Sequence, residues 1–160
     1  MPNNVILSDT SRTLVEQETY DTVREYIVAA QKKVAVAINS AMVEAYWNIG
    51  KRIYEACGES ERAEYGKQLL KFLADKLTAE FGKGFSVPNL RNMRQFYLRF
   101  QNRNALRSEL SWIHYRSLMR VEDEDARDFY LEETVKCGWS STITQRDELS
   151  YFSFESSSVL

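Results

Sequence analysis

Five residues within one short stretch carry the chemistry that stands out in this chain: Asn89, Arg91, Asn92, Arg94 and Gln95. Arginine can hydrogen-bond guanine through two donors, and asparagine or glutamine can do the same with adenine. These are the side chains that read base edges in a duplex major groove. Around them, from Gly82 to Arg120, eight basic residues stand against one acid, Glu109. Lys83, Arg99, Arg103, Arg107, Arg116 and Arg120 are the candidate phosphate contacts of that set. The next stretch, Val121 to Val135, reverses the sign, with seven acids and a single base, Arg127. The whole chain carries a formal net charge of only -2. Charge segregated in this way can offer a positive face to a polyanion while the protein stays soluble.

Other chemistry is weaker. His114 is the only histidine, and no Ser, Cys or Asp motif accompanies it, so a structural role is favoured over acid–base work. Asp125, Asp128 and Glu132 share a helix face and offer a Mg²⁺ reading. Acids at a helix start more often serve as caps and dipole partners, and that reading takes precedence. Trp47, Trp112 and Trp139 sit in apolar helical patterns, which gives at least Trp47 and Trp139 a core role. No phosphate-binding loop, dinucleotide fingerprint, zinc-protease helix or nucleophile elbow occurs. No cofactor is expected.

The elements that must hold these residues are helices. Six glycines and two prolines are too few for an all-β fold, and 44% hydrophobic residues can supply a core at 160 residues. Residues 1–12 are polar and are expected to form a flexible arm. Val23, Ile27, Ala30, Val34, Ala37 and Ala41 then recur at steps of three and four, and the pattern runs on through Ala45 and Ile49 towards Ile53. A break near Asn39-Ser40 or at Gly50 would divide this long helix. Its seam suits packing along a bundle, the favoured reading, or pairing with a second copy as a homodimer. A second helix starts at Ser60 or Glu61 and carries Tyr65, Leu69, Leu70, Leu73, Leu77 and Phe81 inward. Gly82-Lys83-Gly84 stops it. Ser86 caps the next helix, with Pro88 in its first turn. Leu90, Met93, Phe96, Tyr97 and Phe100 face the core on this helix, opposite Arg91, Asn92, Arg94, Gln95 and Arg99. The pair has helix–turn–helix dimensions, although the turn from Gly82 to Ser86 exceeds the usual length. Two shorter helices follow, capped by Ser111 and by Asp123, the second ending at Gly138.

Cys57 and Cys137 lack metal spacing and are expected as two free, buried thiols. No membrane-length apolar run and no secretory signal is seen, so the expected compartment is the cytoplasm.

Three segments carry a family resemblance: AINSAMVEAYWNIGKRI (Ala37–Ile53), FGKGFSVPNLRNMRQFYLRF (Phe81–Phe100) and LSWIHYRSLMRVEDEDARDFYLEETVKCGWS (Leu110–Ser140). Their order and spacing resemble the N-terminal domain of the YhcG family of bacterial proteins. Full-length members carry a second domain resembling PD-(D/E)xK nucleases. The resemblance implies that the N-terminal domain recognises or positions DNA beside that nuclease, in mobile-element or defence settings. After about Ser140 this chain departs from the pattern, and no strand-borne Asp or later Glu-x-Lys pair follows. The nuclease chemistry is therefore not carried over. Residues 141–160 read as a divergent tail, in a truncated or stand-alone member or one whose catalytic domain lies on another polypeptide.

The resulting expectation is an all-α protein of five or six helices. Residues 13–140 form the domain, which binds DNA as the accessory half of a nuclease system and is not itself an enzyme. The alternative is a protein-interaction module without nucleic-acid binding. In it the long helix pairs with a copy or a partner, and the basic stretch docks on the acidic 122–133 stretch of a neighbour.

Overall fold

The structure is a computed structural model that describes residues 4–57 and 63–140, with side chains described over 10–57 and 64–140. The expected start of the second helix at Ser60 or Glu61 and the tail 141–160 lie outside these ranges. Five α-helices follow in chain order: α1 (Asn4–Cys57), α2 (Ala63–Phe81), α3 (Val87–Arg99), α4 (Trp112–Leu118) and α5 (Glu124–Cys137). One 3₁₀ turn, Arg103–Ala105, lies between α3 and α4. No strand occurs among the described residues, and the all-α expectation holds. No helix among them is long and apolar enough to cross a membrane.

The chain divides into two compact units, 1–38 and 39–160. In the first, α1 already begins at Asn4, so residues 4–12 are helical where a flexible arm was expected. Further along the helix, side chains pair one turn apart: Arg12 Nε lies 3.1 Å from Glu16, and the Gln17 amide donates to Asp21 at 3.0 Å. From Asn4 onward no proline or glycine occurs until Gly50, and no break appears at Asn39-Ser40 or at Gly50. Every side chain from 10 to 38 is exposed. The expectation that this stretch packs along a bundle is overturned for these residues.

The second unit holds the core. Val43 and Trp47 of α1 join Phe96, Phe100, Leu110, Tyr115, Leu118, Tyr130 and Leu131 in one cluster. Ile53, Cys57, Leu70, Ala74, Leu90 and Met93 form a second. Phe96 is the hub, with ring centroids 4.9 Å from Tyr115, 5.3 Å from Trp112 and 5.5 Å from Phe100. Such tilted and edge-on pairs add to plain area burial. The indole of Trp47 donates to the Phe100 carbonyl at 2.6 Å, which meets an acceptor at the end of α3 and fixes α1 against it.

Local signals end the helices as the sequence predicts. Ser86 accepts from the Asn89 amide, and Asp123 accepts from the Ala126 amide at 2.7 Å. Gly138 closes α5 at φ 62°, in the left-handed region. Three expectations need correction. Tyr65 and Phe81 of α2 are exposed, because only Leu70 and Ala74 of that helix reach full burial. Trp139 is half-buried, since it follows the last turn of α5. Cys57 is free and buried as expected, but Cys137 is free and exposed, near the end of α5.

Candidate nucleic-acid interface

The path from α2 into α3 is set by two glycines. Gly82 and Gly84 take φ of 81° and 121°, conformations that side chains strain to adopt. The first turn of α3 then opens on Ser86. Asn89 belongs to this turn: its side-chain amide donates to the Gly84 carbonyl at 3.1 Å. One of its donors is thus engaged in holding the turn. Lys83, on the same turn, is exposed.

Along α3, Leu90, Met93 and Phe96 are buried, and no acid occurs in the helix. The opposite side carries Arg91, exposed, and Asn92, Arg94 and Gln95, half-buried. The Nε of Arg94 is enclosed without a partner, while the residue as a whole keeps access to solvent. Arg116 and Arg120 are exposed at and beyond the end of α4. Among the described residues none of Lys83, Arg91, Arg94, Arg116 and Arg120 has an acidic partner.

The other three arginines of the basic stretch are engaged within the chain. Arg99 donates to the Glu122 carbonyl at 3.2 Å. Arg103 pairs with Glu44. Arg107 pairs with Glu132 at 2.5 Å, and that carboxylate pushes the guanidinium pKa up. The basic and acidic stretches are thus partly matched inside one molecule. Linear segregation of charge overstates the positive face, because chain folding brings Glu44 and Glu132 to the arginines they neutralise.

Arg127, the single base of the acidic stretch, is 4% exposed. It donates to the carbonyls of Val121 at 3.0 Å and Glu122 at 3.4 Å, and its guanidinium lies 5.6 Å from the centre of the Phe100 ring. It ties the turn before α5 to the end of α3. The sequence offers one cue to this role, a lone cation among seven acids. A cleft of about 500 Å³ beside it is lined by Arg99 and Arg127 but also by Glu124 and Asp128, so its charges balance.

His114 is buried and structural. The Ser111 main-chain N–H donates to its Nδ1 at 3.0 Å, which leaves the ring proton on Nε2 to donate to the Trp139 carbonyl at 3.0 Å. Among the described residues no three of His, Cys, Asp and Glu are grouped to hold a metal ion. Asp123 instead caps α5, Glu124 and Asp125 occupy its first turn, and Glu132 is taken by Arg107.

A family model, the DUF1016 N-terminal domain, matches residues 22–153. The chain belongs to that family. This DUF1016 N-terminal domain is also 31% identical over 170 residues to a protein of Escherichia coli (strain K12) named "Putative nuclease YhcG". The match takes in 85% of this chain and 45% of that protein, so the chain spans under half of its relative's length. The YhcG-like N-terminal domain read from the three motif segments is thereby established. No solved structure matches the DUF1016 N-terminal domain described here.

Proposed function

We propose that this domain binds DNA and positions it for a nuclease of the PD-(D/E)xK type that is not found in the chain. The observation that carries the reading is α3. It buries its apolar face, has no acid of its own, and presents Arg91, Asn92, Arg94 and Gln95 where, among the described residues, no acidic partner meets the arginines. In this reading α2, the glycine turn and α3 act as a helix–turn–helix, with α3 in the major groove. Lys83, Arg116 and Arg120 contact phosphates, and Asn89 contributes mainly by shaping the turn. Membership in a family with a relative named as a nuclease supports a nuclease-associated role. The nuclease domain, as a neighbouring domain or subunit, is the protein partner, and the setting is the cytoplasm. Association of two copies through α1 is compatible with this role and rests on other residues.

The test is a fluorescence-anisotropy titration of the purified chain with a mixed-sequence duplex at about 50 and 200 mM salt. Three phosphate contacts predict a loss of about 40-fold in affinity between the two conditions, since each released counterion contributes to the salt slope. Absence of binding at the lower salt would sink the reading. The protein-interaction alternative would then stand, with the free arginines as its docking set.

A further inference from the structure

α1 leaves an unusual surface on the first unit. Ten large apolar residues between 10 and 38 are at least 39% exposed. Val23, Ile27, Val28, Val34, Val36 and Ile38 are β-branched, and such residues are modest helix formers. Helices of this composition owe most of their stability in water to packing of an apolar face. This one therefore calls for a partner.

Two features of the surface identify the partner. The first is shape. Tyr20, Ile27 and Val34 fall on the a positions of a heptad, and Val23, Ala30 and Ala37 on the d positions. A parallel pair would set Ala30 and Ala37 against their own copies and leave gaps on the axis. An antiparallel pair sets a against d. Tyr20 then meets the partner's Ala37, Ile27 meets the partner's Ala30, and Val23 meets the partner's Val34. Two of these three layers put a large side chain on a small one, the arrangement that fills a core to native density. The second feature is charge. Residues 10–25 carry four acids (Glu16, Glu18, Asp21, Glu25) and two bases, whereas 26–38 carry Lys32 and Lys33 and no acid. Antiparallel alignment lays the acidic half of one helix along the basic half of the other.

We propose that residues 20–37 of α1 pair with the same segment of a second copy as an antiparallel coiled coil, with the two-fold axis between Val28 and Ala29. The interface uses none of the residues assigned to DNA, so the two readings fail or stand separately. It doubles the DNA-binding units in one particle.

Light scattering on the eluting full chain at about 50 µM tests the association (an order-of-magnitude choice, above the micromolar range of a modest interface). The expected mass is twice the 18.7 kDa of one chain. Ile27→Glu with Val34→Glu is expected to give the single-chain mass while the thermal transition of the second unit stays unchanged. Orientation is read by disulfide formation in a Cys137→Ser background, which removes the exposed native thiol. A mixture of Tyr20→Cys and Ala37→Cys chains is expected to cross-link between the two variants, and neither variant alone with itself. Two copies of residue 20 stand about 25 Å apart along the antiparallel axis, beyond the reach of a disulfide. A wild-type monomer, a dimer that survives the double Glu change, or cross-linking of Tyr20→Cys with itself would each overturn the proposal.

Discussion

Gly50 of α1 faces the main-chain carbonyl of Met93 in α3 so closely that a Cβ built on it would stand 1.9 Å from the oxygen and 2.6 Å from the carbonyl carbon. Backbone lies on both sides, so no flexible side chain can give way. Trp47, one turn earlier, anchors the same contact through the Phe100 carbonyl. Gly50→Ala is expected to destabilise the domain by about 3 kcal/mol, at the upper end of overpacking costs. The change would gain intrinsic helix propensity of about 1 kcal/mol, so a stabilised variant in chemical denaturation would show that the helices are not in contact here.

The arginines divide into free and paired sets, and mutation should separate them. Arg91→Ala with Arg94→Ala is expected to weaken duplex binding by about 30-fold or more, taking about 1 kcal/mol or more for each lost contact. The circular-dichroism melt should not move. Arg103→Ala with Arg107→Ala removes the same formal charge from residues already held by Glu44 and Glu132. Its effect on binding should be several-fold smaller. Equal losses in the two double variants would show that net charge alone governs binding, with no contribution from the placement of α3.

Burial raises the Tyr115 hydroxyl to about 12 from the ordinary value of 10.0, against a smaller opposing effect from the Arg107 main-chain N–H that donates to it at 2.7 Å. The unfolded chain releases this proton near pH 10 and the folded chain holds it. Stability is therefore full below pH 10 and is lost as pH rises from 10 towards 12, by about 2–3 kcal/mol in all. Tyr115→Phe starts less stable at neutral pH, because the Arg107 amide loses its acceptor. Its stability should decline less steeply over that window. Matching alkaline slopes for the two proteins in denaturant titrations would remove Tyr115 as the cause.

Arg127 is held by carbonyls and an aromatic ring, and its carboxylate neighbours do not pair with it. Arg127→Met should keep much of the packing and lose the two hydrogen bonds, costing about 2–3 kcal/mol. Arg127→Lys should rescue little, since an ammonium cannot reproduce the planar fork. Full rescue by lysine, read from the thermal midpoint, would mean that charge alone is needed at this site.

Helix ends and the inward face of α3 were legible in the sequence because they depend on local events. Ser86, Asp123 and Gly138 act on amides and carbonyls within one turn, and the 3.6-residue period places Leu90, Met93 and Phe96 together. The membership of the chain in its family was legible too, from three motif segments. What the sequence could not decide were pairings between distant residues. Arg103 meets Glu44 and Arg107 meets Glu132 only because α1 and α5 are folded back beside the linker after α3. Nor does a step of three and four say whether a seam is covered by its own chain. Residues 10–38 and 39–57 share that period, yet only the later stretch carries buried side chains. Periodicity records which face of a helix is apolar, and tertiary packing decides what, if anything, lies against it.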